Sequence, residues 1–295
     1  MGAAIEKERM SGNHATDTLR EWQVSAPYWE KHSDLIRNMF IPLTEALIEE
    51  AGITSGQSVL DVAGGAGEPS LTMARVVGLA GSVVCTDAIA EMVAAAERAA
   101  QSQGIKNIRF GQCTADSLPF EDNSFDTVVS RLGVMFFPDP LVALREMLRV
   151  LRPGGRISLA VWHKSEMNPY AERVTNVMNR YLETPPDDPD APGAFRFAEP
   201  GKLAAVLADA GANDVAERLL KFRIEAPISL QEFWIMRSEI SETLREKLRR
   251  LTAEQVLRVS EEVKEAVREF FPNGKMSFPA QMLIVTGTRR DDAER

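Results

Sequence analysis

The apolar positions change period several times along the chain. Residues 58–63 (SVLDVA) form a short run of buried-strand type, and glycines follow directly. Residues 69–77 (PSLTMARVV) then read as a helix that opens on proline, where the missing N–H costs little. The alternation continues with a strand at 82–86, an Ala-rich helix from Ile89 to Gln103 ended by Gly104, and strands at 108–113 and 125–130. A helix from Pro140 to Leu151 is stopped by Pro153-Gly154-Gly155, and a strand runs from Arg156 to Trp162. Strands alternating with helices need crossover connections, which predicts a parallel sheet covered on both faces. Beyond Trp162 the spacing predicts a short helix from Lys202 to Ala210, a strand from Val215 to Glu225 and a last strand at 282–288. Between those two strands, residues 229–271 read as two amphipathic helices. Each opens on a capping box, Ser229 with Glu232 and Thr252 with Gln255.

The expected fold is therefore α/β: a doubly wound, seven-stranded, mostly parallel sheet with its last strand antiparallel. Helical insertions at the N-terminus and in the C-terminal half form a lid. Residues 1–20 read as a flexible arm, 21–52 as a helical lid segment and 53–163 as a nucleotide-binding core of Rossmann type. Residues 164–200 read as a lid insertion containing the proline-rich stretch TPPDDPDAPG, and 201–295 complete the sheet.

Composition narrows the function. The formal net charge of −9 disfavours a chain built to grip nucleic acid, and no apolar run is long enough for a membrane span. Cys85 and Cys113 both lie in strand-like stretches, which suits reduced thiols in a cytoplasmic protein. His14, His32 and His163 are scattered, so no metal site is expected.

The most informative stretch is the loop after the first strand, VLDVAGGAGE at 59–68. Gly64, Gly65 and Gly67 permit a tight strand-to-helix turn whose backbone can approach a ligand closely. Such a turn alone would also serve a dinucleotide, a flavin or no ligand at all. Two acidic residues sharpen it. Asp61 lies inside the strand, where a carboxylate needs partners such as loop N–H groups or a ligand ammonium. Asp87 follows Gly67 by 20 residues at the end of the second strand, the spacing at which a carboxylate accepts from ribose hydroxyls. The loop has no Lys or Arg to meet a pyrophosphate, so the pattern points to a ribose-bearing ligand whose other end is not a phosphate.

VLDVAGGAG, CTDA, DSLPFEDNSFD and FPDPLVALREMLRVLRPGGRI, in this order and spacing, resemble the class I S-adenosylmethionine-dependent methyltransferases. The resemblance is greatest to the ubiquinone/menaquinone-biosynthesis C-methyltransferase group, and it covers roughly residues 55–162. It implies S-adenosyl-L-methionine as cofactor, with Ala63, Gly65, Ala66 and Gly67 under the methionine part. It places Asp87 on the ribose, Ala88 beside the adenine, and Thr114 and Ala115 at the adenine edge. The family usually carries Asp or Asn where Thr114 stands, which makes Asp116 the alternative contact. Arg131 stands where a small residue is common and is expected to face the cofactor carboxylate or an anionic substrate. The quinone enzymes carry a polar Arg-Asn pair where Met135 and Phe136 stand, a departure that argues against a quinone precursor.

Methyl transfer from a sulfonium is an in-line displacement that depends on alignment and a dry pocket, with a base only for acceptors that must lose a proton. His163, just past the fifth strand, is the best-placed base, ahead of His32, Glu166 and Tyr170. Tyr28, Trp29, Met135, Phe136, Phe195 and Trp234 are candidate lining for a small, apolar or aromatic acceptor, and each would serve equally well as packing. Two other readings compete with a methyltransferase. One is a non-catalytic cofactor-binding partner protein that uses the insertion as a dimer surface. The other is a nicotinamide- or flavin-dependent oxidoreductase, which the lack of a G-x-G-x-x-G loop disfavours.

Overall fold

In the computed structural model, residues 18–182 and 188–290 are described, so most of the expected arm and residues 184–187 of the proline-rich stretch lie outside them. Seven strands form one sheet: β1 (Ser58–Val62), β2 (Ser82–Asp87), β3 (Ile108–Gln112), β4 (Phe125–Arg131), β5 (Leu151–Trp162), β6 (Asn213–Ala226) and β7 (Met276–Thr288). Their spatial order is β3-β2-β1-β4-β5-β7-β6. The first five strands pair in parallel, and β7 runs antiparallel to both its neighbours, as the sequence predicts. β1, β2, β4 and the second half of β5 are buried along nearly their whole length because helices cover both faces, and Val59, Leu60, Val83, Val128, Val129, Ile157 and Leu159 are fully buried.

Before the sheet come α1 (residues 18–31), α2 (Ser33–Met39) and α3 (Ile41–Ala51), three helical segments in place of the one or two expected. The crossover helices are α4 (Ser70–Val77), α5 (Ala90–Ser102) and α6 (Pro140–Val150). They are followed by α7 (Pro169–Met178) and α8 (Lys202–Asp209). α6 starts where the Asp139 side chain accepts from the Val142 N–H at 3.0 Å and proline fills the first helical position. β5 begins five residues earlier than the glycines suggest, because Leu151 already pairs with Phe125 and the ladder re-registers at Thr127–Arg156.

The insertion between β6 and β7 forms three helices where the stripe predicts two: α9 (Leu230–Ile240), α10 (Glu242–Arg249) and α11 (Ala253–Val267). The break falls at Ser241, whose extended backbone and side chain, accepting from the Leu244 N–H at 3.3 Å, start a new helix within one apolar stripe. Both expected capping boxes form. Thr252→Ala removes one acceptor from the first turn of α11 and should cost about 1 kcal/mol in a denaturant titration. Phe233, Met236, Val259, Val263 and Val267 are fully buried within this chain, so the stripe offered as a dimer surface is covered internally. No helix among the described residues is long and apolar enough to cross a membrane.

Candidate cofactor and acceptor site

The strand order reverses between β1 and β4, so the crevice at their carboxyl ends is where an open α/β sheet collects ligands. The glycine loop leaves β1 there. Ala63 takes a left-handed φ of 60°, an uncommon conformation for a residue with a side chain, and Gly65 and Gly67 also have positive φ. Gly64 is required on steric grounds: a Cβ there would lie 2.6 Å from Cys85 Sγ and 2.9 Å from Asp61 Oδ2. Above Gly65 the equivalent position meets nothing within 4 Å, so the loop faces open space where its backbone is most accessible. On the β4 side Gly133 lets the chain pass against Ala63, since a Cβ would stand 2.6 Å from the Ala63 methyl.

Both acidic residues converge on this loop. Asp87 Oδ2 accepts from the Gly65 N–H at 3.0 Å and Oδ1 accepts from the Ile89 N–H at 3.0 Å. Burial pushes its carboxyl upward, opposed by these backbone donors. Asp61 is wholly buried; Oδ2 accepts from Ser70 Oγ at 2.6 Å, while Oδ1 has no hydrogen-bond partner. Desolvation raises its carboxyl from 3.8 to about 7, with the Ser70 hydroxyl and Arg131 pulling the other way. Arg131 reaches back from the end of β4, donating to Thr44 Oγ1 at 2.7 Å and to the Glu68 carbonyl at 3.0 Å. Among the described residues it makes no ion pair, and burial holds its guanidinium below the usual range.

At the end of β3 the Cys113 N–H donates to the Asp87 carbonyl at 3.1 Å and Gln112 Nε2 to the Ala88 carbonyl at 3.1 Å, which carries the β2–β3 pairing up to the loop of Thr114, Ala115 and Asp116. Thr114 and Asp116 are exposed, and Ala88 and Ala115 are half-buried. α1 lies over the crevice. Its Ala26, Trp22 and Trp29 pack with Ile89, Met92 and Ala66, and Trp22 stands edge-on to Phe136 with ring centres 5.1 Å apart. Exposed contacts fasten α1 to α5, Gln23 to Glu91 at 2.9 Å and Glu30 to Arg98 at 2.7 Å. On its other side α1 is held by the insertion: Trp29 Nε1 donates to the Ile240 carbonyl at 3.1 Å, and Lys31 meets Glu239 at 2.7 Å. Just beyond α1, His32 lies 2.6 Å from Glu239, and Tyr28 sits 4.6 Å beneath the Arg245 guanidinium. A surface cleft of about 250 Å³ between α1, α2 and α5 touches the loop only at Ala66 and Glu68 and lies apart from Asp87.

The candidates for acceptor chemistry separate. His163 follows β5, its N–H donating to the Gln281 carbonyl at 3.1 Å and its buried Nδ1 unpartnered. Asn168 fixes that turn and was invisible as a site residue in the sequence. Fully buried, it donates to the His163, Lys164 and Gln281 carbonyls and accepts from the Gln281 N–H at 2.9 Å. Trp162 stacks on Tyr170 at 6.4 Å, with Phe195 at 6.3 Å and Phe40 at 6.0 Å, and Phe40 in turn lies 6.0 Å from Arg131. Phe195 is half-buried, whereas Met135 and Trp234 sit in the main hydrophobic core. His32 is engaged by Glu239 of α9.

The family model for the ubiE/COQ5 methyltransferase family matches residues 43–181. In sequence the chain is similar to the ubiquinone/menaquinone biosynthesis C-methyltransferase UbiE of Cellvibrio japonicus, 39% identical over 135 residues, 45% of this chain and 53% of that one. It is equally similar to the uncharacterized protein Rv1405c of Mycobacterium tuberculosis, 39% identical over 128 residues, 43% of this chain and 45% of that one. The chain thus spans about half the length of the curated relatives it matches. Its fold is that of the S-adenosylmethionine-dependent methyltransferase from Aquifex aeolicus, with a TM-score of 0.51 at 18% identity over 86% of this chain and 92% of that one. The methyltransferase resemblance carried by residues 55–162 falls inside the matched segment.

Proposed function

We propose that the chain is an S-adenosylmethionine-dependent methyltransferase of ubiE/COQ5 type acting on a small, largely apolar or aromatic acceptor. The observation that carries this reading is the meeting of Asp61, the open face of Gly65 and Asp87 at the switch point of the sheet. The residues fit the cofactor. Asp61 Oδ1, buried and without a partner, suits an ammonium group. Arg131, a desolvated cation without an ion pair, suits the carboxylate of the same aminoacyl tail. Asp87 retains acceptor capacity for ribose hydroxyls after its two backbone bonds, because a carboxylate has about four lone-pair sites. Ala88, Thr114, Ala115 and Asp116 would hold the adenine.

When bound, the cofactor supplies an electrophilic methyl group on a sulfonium. The chain's own part is to align and to exclude water. α1 covers the crevice with Trp22 and Trp29, and the half-buried Phe195, backed by Trp162 and Tyr170, offers an apolar surface to the acceptor. His163, with an unpartnered Nδ1 at the end of β5, is the group positioned to take a proton from an acceptor that carries one. Tyr28, His32 and Glu239 hold the cover in place.

S-Adenosylmethionine and S-adenosylhomocysteine should each raise the unfolding temperature and NADH should not. Ligand at about 100 times Kd adds about 2.7 kcal/mol to stability. Calorimetry showing no heat of binding at millimolar S-adenosylmethionine overturns the proposal.

A further inference from the structure

Arg237 on α9 is a cation without a counter-ion. Its guanidinium carbon lies 4.7 Å over the Tyr170 ring, and its buried Nε has no hydrogen-bond partner. No carboxylate among the described residues comes within 4.0 Å of it, although the same helix carries Glu239, already engaged by Lys31 and His32. The surroundings are apolar: Tyr170 is 4% exposed, and it contacts Phe233 and Phe278, both fully buried. Arg237 is half-buried with its Nε sealed from water, so the aromatic face holds the guanidinium in place while its other N–H donors can still meet an anion. Arg is the side chain whose planar fork fits a carboxylate in two bonds.

The position gives that anion a purpose. Tyr170 stacks on Trp162, the residue before His163, so Arg237, Tyr170, Trp162 and Phe195 make a continuous wall beside the turn that carries His163. We propose that Arg237 docks a carboxylate on the methyl acceptor, whose apolar or aromatic body lies against the half-buried Phe195, with Trp162 and Tyr170 behind it. The assignment rests on the methyltransferase reading and adds a substrate class to it, an aryl or branched-alkyl acid. It also separates the two arginines of the site: Arg131 faces the cofactor end and Arg237 the acceptor end.

The test uses the full chain saturated with S-adenosylhomocysteine and titrated calorimetrically with matched pairs, 4-hydroxybenzoate against 4-hydroxybenzamide and 3-phenylpropionate against its amide. Each acid should bind at least about tenfold tighter than its amide, the range expected for a charge-assisted hydrogen bond. In Arg237→Gln the preference should disappear while S-adenosylhomocysteine affinity is retained, and Arg237→Lys should restore part of it. Equal affinity for acid and amide, binding of neither, or a preference that survives in Arg237→Gln overturns the assignment. Failure of S-adenosylhomocysteine itself to bind overturns the methyltransferase reading and this inference with it. Normal cofactor binding without acid preference overturns this inference alone.

Discussion

Asp87→Ala is expected to weaken S-adenosylmethionine binding by at least about a hundredfold while leaving the chain folded. Two effects add. The carboxylate is the acceptor for the Gly65 and Ile89 N–H groups, so its loss strands two donors and frees the glycine turn from β2. A donor left unsatisfied in a part-buried site costs about 1–3 kcal/mol, and the ribose loses a charged acceptor worth about 1.5–3 kcal/mol. Asp87→Asn keeps one carbonyl oxygen and should lose about tenfold, since only the charge-assisted part is removed. Calorimetric titration of the three proteins decides the matter: equal affinities would show that the carboxylate merely shapes the turn.

The second large effect is on pH dependence. Asp61 titrates near 7 in the folded chain because burial disfavours its charge, against 3.8 ordinarily. The folded state therefore holds a proton that the unfolded state has already lost, and stability without cofactor falls as pH rises from about 4 to about 7. The ceiling on that fall is about 4 kcal/mol, from roughly 1.4 kcal/mol per unit of displacement. An ammonium beside Oδ1 favours the carboxylate, so cofactor binding should make Asp61 release close to one proton near pH 6 and about half a proton at pH 7, read from heats in buffers of different ionisation enthalpy. Asp61→Asn should flatten the stability slope, remove the proton release and weaken the cofactor by about tenfold or more. A variant with the slope of the parent protein would exclude Asp61 as its source.

Much of this site was legible in the order of residues, for definable reasons. The strand, glycine turn and helix at 58–77 are local events, and Asp87 is fixed to the turn by the length of one crossover helix. Capping boxes are also local, so both helix starts in the insertion were correctly placed. Ser241 breaks the helix through its extended backbone and its cap on the Leu244 N–H, although the apolar stripe runs on without a fault. What else escaped was set by distant partners. Asn168 matters through the Gln281 backbone, 113 residues away. Arg237 is one of many arginines in a charged helical region until its helix is laid against Tyr170. Met135 and Phe136, adjacent in sequence, part company: the first is buried in the core and the second meets Trp22 at the crevice.

α1 is held on both sides by two kinds of contact. Its polar fastenings are exposed: the Glu30–Arg98 pair and the Gln23–Glu91 hydrogen bond toward α5, and the Lys31–Glu239 pair toward the insertion; exposed ion pairs contribute at most about 1 kcal/mol and weaken in salt. The indole N–H of Trp29, the Arg245 guanidinium over Tyr28 and the packing of Ala26, Trp22 and Trp29 on Ile89 and Met92 depend less on ionic strength. Raised ionic strength should therefore loosen the exposed polar ties of α1 first, while its indole and ring contacts keep the helix seated over the crevice.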